Sequence, residues 1–155
     1  MLNKKASRIV AIDFGMVRIG LAISDERKII ATPLMLIIAE KKSERTIAKI
    51  LQELNAHQEK QGYLLEEIIV GMPLLMSGKT GLLADEVKHF IEVLKKQTTT
   101  PIVTWDERLT TVQAERSMRE GSMTRRERSK VVDTVSAVIL LQSYLDYKGI
   151  TRERT

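Results

Sequence analysis

The segment RIVAID, residues 8–13, most constrains what this chain of 155 residues can fold into. Its isoleucines and valine favour β-structure, and apolar residues fall on both faces of an extended chain. A strand of that kind lies centrally in a sheet, because both of its faces need cover. The length suits one domain, spanning residues 1–155, that can bury such a core without disulfides or metal.

The apolar patterns that follow predict alternating strands and helices around this central strand. Residues 18–24 and 29–39 read as two further strands, the latter interrupted by Pro33, which suits an edge strand or a bulge because proline cannot donate to a ladder. Helices are then predicted at 43–57, 80–95, 110–119 and from Thr124, with strands at 67–70 and 101–105. We therefore predict an α/β fold, with a central mixed five-stranded sheet flanked by helices on both faces.

Cysteine usage and hydropathy bear on the compartment. The chain has no cysteine, which indicates a reducing environment and leaves no thiolate metal site. The longest apolar run, residues 34–39, is far too short for a membrane span, and the basic N-terminus lacks a signal-peptide core. We expect a soluble cytoplasmic protein with no membrane partner.

Positive charge is concentrated in one segment. The net charge is +5, and residues 116–130 hold six arginines and lysines against two glutamates. Such a run is either a solvated helix face or a surface that contacts a phosphate backbone. On the second interpretation, Arg125 and Arg126 bind a nucleic acid.

Three acidic positions fall where a carboxylate is costly. Asp13 ends the first strand, Glu107 follows Asp106 at the end of the last strand, and Asp133 lies in an almost wholly apolar helix segment. The carboxyl ends of parallel strands share one edge of a sheet, and a helix across that sheet can bring Asp133 there. Converging carboxylates predict a site for Mg²⁺ or Mn²⁺, which suits phosphodiester hydrolysis. Three unrelated structural acids are the alternative.

Several other residues have a candidate role near these acids. Gly15 is predicted to form a tight turn by adopting a positive φ. Arg18 follows Asp13 by five positions and Arg108 is adjacent to Glu107, and the two arginines either contact substrate phosphates or form buried ion pairs with the acids. Trp105 is expected to be a packing residue. His57 and His89 have no metal-ligating partner at a suitable spacing, so we expect both on the surface.

Four motifs together resemble the YqgF (RuvX) family of RNase H-like nucleases: IDFGMVRIGLAISD, IIVGMPLLMSGKTG, WDERLTT and VVDTVSAVILLQSYLD. They span about residues 8–147. The resemblance implies an RNase H-like fold and a metal-dependent endonuclease that matures the 5′ end of precursor 16S rRNA. A role as a Holliday-junction or other DNA-processing nuclease is the alternative within the family.

The same resemblance implies roles for individual residues. The first catalytic acid falls on Asp13, the acid of the DER motif on Glu107 with Asp106 less certain, and the helical acid on Asp133. Related enzymes often carry an acid where this chain has Gly71, and Gly71 with Gly15 allows backbone to approach phosphates. The chain departs from the family pattern at Met16, Val17, Leu75, Ser77 and Ser136.

Two other functional classes remain open from the sequence. The first motif also resembles the phosphate-binding hairpin of sugar kinases and actin-like ATPases, but those enzymes need two such domains. A non-catalytic RNA-binding factor of ribosome assembly is the other alternative. The expected partners are nucleic acid, foremost an rRNA precursor, and pre-ribosomal particles, with the protein a monomer or weak homodimer.

Overall fold

The structure is a computed structural model that describes residues 5–72, 81–106 and 125–153, with the backbone alone described at 81–83, 106, 125–134 and 150–153. The described elements, in chain order, are β1 (Ser7–Asp13), β2 (Arg18–Ser24), β3 (Ala31–Ile38), α1 (Ser43–Gln61), β4 (Leu64–Met72), α2 (Gly81–Gln97), β5 (Ile102–Asp106) and α3 (Arg125–Glu153). The helix predicted at 110–119 lies outside the described residues.

The five strands form one mixed sheet in the order β3-β2-β1-β4-β5. Strands β1 and β2 are antiparallel, as are β2 and β3, whereas β1, β4 and β5 run parallel. The carboxyl ends of the three parallel strands therefore share one side of the sheet, which we name the carboxyl edge. The opposite side, where these strands begin and where β2 meets β3, is the amino edge.

Two cores cover the sheet, as the apolar pattern of β1 predicts. Val10 and Ile12 pack with α1 and α2 on one face, while Ile9 and Ala11 pack with α3 on the other. All four side chains are fully buried. The alternation of successive strand residues between two faces explains why this strand is apolar throughout. The prediction of helices on both faces is confirmed.

The third strand is shorter than predicted at its start. It begins at Ala31 because Asp25 Oδ1 accepts hydrogen bonds from the backbone N–H groups of Ile29 (2.7 Å) and Ile30 (3.0 Å). These two apolar residues therefore belong to a turn, although their β preference is strong. Within the strand, Pro33 pairs with Ala22 beside a register shift, and β3 is an edge strand, so both expectations for the proline are confirmed.

The helix predicted to end near His57 continues to Gln61. It ends at Gly62, whose φ of 69° gives the left-handed C-cap that glycine adopts without strain. Among the described residues, no helix is long and apolar enough to cross a membrane.

Candidate active site

Asp13 is the last residue of β1 and lies at the carboxyl edge. Its Cα pairs with Gly20 of β2, and the four residues before it are completely buried. The Asp13 residue itself is half-buried. A rigid central strand therefore presents this carboxylate at the boundary between core and solvent, as the sequence predicts.

The register of the sheet shows which positions share the level of Asp13. Ile12 pairs with Val70, and Val70 pairs with Thr104, so the next residues along the parallel strands are Asp13, Gly71 and Trp105. Strand β5 continues one residue further, to Asp106, whose Cα pairs with Met72. The ends of β1 and β5 thus lie on the same edge, separated by β4, as expected of near neighbours.

Asp13 shares the α3 face of the sheet with Ile9 and Ala11, because all three are odd-numbered positions of one strand. Helix α3 packs on that face against β1, β2 and β3. Ser136 and Ala137 in this helix are buried, and the backbone of Asp133 lies one turn before them. The fold therefore places the helix that carries Asp133 on Asp13's side of the sheet.

Ser136, where the sequence departs from the family pattern, is 3% exposed. Its Oγ is buried, with no hydrogen-bond partner among the residues that the structure describes. A buried hydroxyl without a partner is uncommon, because it loses its hydrogen bonds to water. This polar atom lies one turn from Asp133, within the apolar core under α3.

The remaining predicted site residues are described only in part. Glu107 and Arg108 lie outside the described residues, and Asp106, Arg125, Arg126 and Asp133 are described by backbone alone. Within the described side chains, no group of three or more His, Cys, Asp or Glu residues could hold a metal ion. The predicted ligand set therefore stays a prediction.

Gly15 is needed for a different reason from the one predicted. Its φ is not in the positive range; the positive-φ glycine of the described chain is Gly62. A Cβ at position 15 would instead overlap the backbone carbonyl of Arg18. The chain turns so tightly between Asp13 and β2 that no side chain fits, and Arg18 begins the returning strand opposite Ile38.

A cavity of about 230 Å³ opens beside this turn. Its lining includes Phe14, Met16, Lys41 and Phe90, from three separate segments of the chain. The sequence motifs do not predict this cavity. The one available signal was the apolar pair Met16-Val17 in a turn, where polar residues are usual.

Trp105 packs, as predicted, against α3. Its ring lies 5.2 Å, between centroids, from each of Tyr144 and Tyr147, and its Nε1 donates to Ser143 Oγ at 3.2 Å. The indole therefore ties the edge strand β5 to the helix that carries Asp133.

The two histidines differ in their surroundings. His89 is exposed, as expected, whereas His57 is half-buried with its Nδ1 2.8 Å from the hydroxyl of Tyr63. Burial lowers the pKa of His57 below 6.5, and the charges of Arg8 and Lys60 lower it further. A neutral imidazole hydrogen-bonded to a tyrosine is a structural group, so the prediction of a surface residue is only partly right for His57.

Comparison with known proteins gives this arrangement a context. Residues 7–147 match the model of the family RuvX, described as "Holliday junction resolvase". A protein of Protochlamydia amoebophila (strain UWE25), named "Putative pre-16S rRNA nuclease", is 63% identical over 147 residues, covering 94% of this chain and 98% of its own. One of the same name from Koribacter versatilis (strain Ellin345) is 39% identical over 146 residues, covering 94% and 91%.

The fold has a counterpart among solved structures. T. thermophilus RuvC in complex with a Holliday junction substrate aligns with a TM-score of 0.52 at 12% identity, over 92% of this chain and 96% of RuvC. At this identity the likeness concerns the fold alone. The mixed five-stranded sheet with helices on both faces is therefore of the RNase H-like type, as the sequence motifs imply.

Proposed function

Since this chain belongs to the RuvX (YqgF) family of nucleases, we propose that its substrate is precursor 16S rRNA, whose 5′ end it matures by endonucleolytic hydrolysis. The observation that carries the proposal is the 63% identity, over nearly the full length of both chains, to a relative named for that substrate. On this proposal the protein acts in the cytoplasm on pre-ribosomal particles.

We propose Asp13, Glu107 and Asp133 as the catalytic acids and as the ligands of Mg²⁺ or Mn²⁺. All three offer oxygen donors, the type that these hard cations prefer. Asp13 supports the assignment because its half-buried carboxylate lies where the parallel strands end, on the side of the sheet that α3 covers. A divalent ion held there would lower the pKa of a bound water and stabilise the leaving oxygen.

Register favours Glu107 over Asp106 as the ligand from β5. Val103 and Trp105 pack in the α3 core, whereas Ile102 packs in the core of α1 and α2. In the sequence, Asp106 is four positions after Ile102, whereas Glu107 is two positions after Trp105, so the two-residue period of strands favours Glu107 for the face of Trp105. Asp13 also lies on the α3 face of the sheet, so we propose Glu107 rather than Asp106 as the metal ligand that acts with it.

The substrate-binding assignments begin with residues of the same edge. Arg18 begins β2 beside the turn that follows Asp13, and we propose that it contacts a phosphate, as do Arg108, Arg125 and Arg126. Gly15 and Gly71 supply side-chain-free backbone at the level where the phosphate would lie. These contacts hold the strand so that the scissile bond meets Asp13.

The test compares two aspartates at opposite edges of the sheet. Wild type, Asp13→Asn and Asp25→Asn are incubated with 5′-extended 16S rRNA precursor in Mg²⁺ or Mn²⁺. We expect Asp13→Asn to reduce cleavage at least about 100-fold, a loss typical of removing one preorganised charged group. Asp25→Asn should cleave like wild type, because Asp25 lies at the amino edge.

The same assay separates the alternatives. Cleavage that persists in Asp13→Asn would contradict the proposed site. Binding of the precursor without cleavage, in wild type and variant alike, would support a non-catalytic assembly factor. A four-way DNA junction in a parallel reaction distinguishes a junction resolvase, since preferential cleavage of the junction would contradict an rRNA substrate.

A further inference from the structure

Three large apolar side chains stand in solvent at the carboxyl edge. Met16 is 59% exposed, Val17 67% and Ile38 52%. They come from the β1–β2 turn and from the end of β3, which adjoin because Ala39 N–H donates to the carbonyl of Val17 at 2.8 Å. Exposed apolar groups gathered beside a catalytic acid suggest contact with a ligand.

The turn that carries Met16 and Val17 is held in place on both sides. The carbonyl of Arg18 closes over Gly15, so the backbone there is tightly packed. Before the glycine, the ring of Phe14 lies 5.0 Å, between centroids, from the buried ring of Phe90. The hydrogen bond to Ala39 fixes the far side. The apolar tip is therefore presented to solvent by a constrained backbone.

Beneath this tip lies the cavity of about 230 Å³. Its apolar lining includes Phe14, Met16 and Phe90, and its polar lining includes Glu40, Lys41 and Glu86. The polar groups offer both hydrogen-bond acceptors and a donor, which suits the edge of a nucleobase, while the apolar groups suit its faces. Two carboxylates make the same cavity unfavourable for a phosphate.

A groove beside the cavity is suited to the phosphates of a nucleic acid strand. Lys41, Lys42 and Arg45 are exposed where the chain enters α1, and they line an adjoining open groove with Ala39 and Glu40. A strand whose base enters the cavity would therefore run its backbone past three cations. This charge complementarity indicates a nucleic acid strand rather than an apolar peptide.

We infer that the Met16-Val17 turn and the cavity beneath it bind the base of an unpaired nucleotide next to the scissile phosphate, an inference that rests on the proposed nuclease function. Phe14 lies on the α1 and α2 side of the sheet and Asp13 on the α3 side. The substrate strand thus crosses the carboxyl edge, with its phosphate at Asp13 and the neighbouring base in the cavity. The enzyme is expected to act where its substrate is single-stranded.

The experiment measures binding separately from cleavage. Single-stranded RNA oligomers, each with one abasic nucleotide at a successive position, are titrated by fluorescence anisotropy into Asp13→Asn protein. We expect one abasic position to weaken binding about tenfold, the scale of one base contact. In Asp13→Asn combined with Met16→Ser and Val17→Ser, the intact oligomer should bind about tenfold more weakly, and the abasic position should have no further effect.

The matched control is Ile29→Ser with Ile30→Ser, which removes an equally exposed apolar pair, 57% and 58%, at the amino edge. It should bind like the parent. An abasic effect that persists in the Met16 and Val17 variant, an equal loss in the control, or no binding of single-stranded RNA would each overturn the inference. This experiment measures the affinity for RNA, whereas the preceding assay measures cleavage of the rRNA precursor. A failure to cleave the precursor would therefore not produce any of these binding results.

Discussion

The two edges of the sheet differ in the contacts that their polar and apolar side chains make. At the amino edge, polar groups pair with one another: Lys28 Nζ lies 3.1 Å from Glu66 Oε1, and Gln142 donates to the carbonyl of Ile29 and accepts from the N–H of Ala31. At the carboxyl edge, apolar side chains and lysines face solvent around a cavity. These contacts stabilise the amino edge, whereas the carboxyl edge is the one that we propose contacts a ligand.

Exposure alone does not distinguish the two edges. Both turns of the β2 hairpins carry an adjacent pair of exposed apolar residues, Met16-Val17 and Ile29-Ile30. Their surroundings differ, because the first pair adjoins a cavity and the proposed catalytic acid Asp13, whereas the second is bound through its backbone to Asp25 and Gln142. An exposed hydrophobic residue therefore indicates a binding surface only when the groups around it also do.

Of the variants that test the difference between the two edges, Gly15→Ala is expected to lose the most stability and cleavage activity. The added Cβ would overlap the Arg18 carbonyl, so the turn must shift, at a cost of about 3 kcal/mol in the free energy of unfolding. Displacing the backbone next to Asp13 should also slow cleavage about 100-fold. Urea denaturation and the rRNA cleavage assay measure the two effects.

Gly62→Ala at the amino edge is the control for that variant. Position 62 has a φ of 69° but open space around it, so alanine should cost about 1 kcal/mol and leave cleavage unchanged. If both glycine variants lost cleavage equally, the functional difference between the edges would be refuted.

A smaller loss of stability is expected from Glu67→Gln. Glu67 accepts hydrogen bonds from Lys148 Nζ at 2.8 Å and from the Tyr144 hydroxyl at 3.1 Å, and these tie the start of β4 to α3. The bond to Glu67 raises the pKa of Lys148. Losing one charged partner should cost about 2 kcal/mol, measured by urea denaturation, with no change in cleavage. A cleavage defect at full stability would contradict a purely structural role.

Asp25→Ala tests the turn that shortens β3. Burial raises the pKa of Asp25, but hydrogen bonds from Ile30 and Ile29 lower it more, so the pKa lies below 3.8. A depressed carboxyl pKa stabilises the fold above the unfolded-state pKa, and this contribution is lost as the pH falls through the folded-state pKa.

We therefore expect Asp25→Ala to lower stability by about 1 kcal/mol at pH 7, the scale of lost capping hydrogen bonds. The difference from wild type should shrink below about pH 4. Thermal melts between pH 3 and 7 measure it, and a difference that stayed constant with pH would show that the charge of Asp25 is irrelevant.

The smallest effect is expected from His57. Because its pKa is lowered, the neutral imidazole stabilises the fold above about pH 6.5, and the contribution is lost as the pH falls through the folded-state pKa. His57→Gln should flatten the fall in stability below about pH 6.5 without altering the pH profile of cleavage. An altered pH profile of cleavage would show that His57 affects the proposed active site.

Most of the fold could be predicted from the sequence because side-chain periodicity is local. The apolar residues on both faces of β1, the proline in β3 and the apolar pattern that predicts a helix from residue 43 each indicate an environment that the structure confirms. The prediction failed at Ile29 and Ile30, whose β preference was overridden by hydrogen bonds to Asp25. It failed for Gly15 because a steric contact with Arg18 leaves no trace in a glycine's own preferences.

The sequence by itself determined that a rigid, buried strand ends on a carboxylate. In the segment RIVAID, apolar residues on both faces predict burial, and the last residue is Asp13. Only the tertiary structure decided that Phe14, Lys41 and Phe90 line one cavity, and that β4 separates β1 from β5. Periodicity tells each segment which face to bury but not which distant segment it will meet. That choice depends on strand order and on helix packing over the whole sheet.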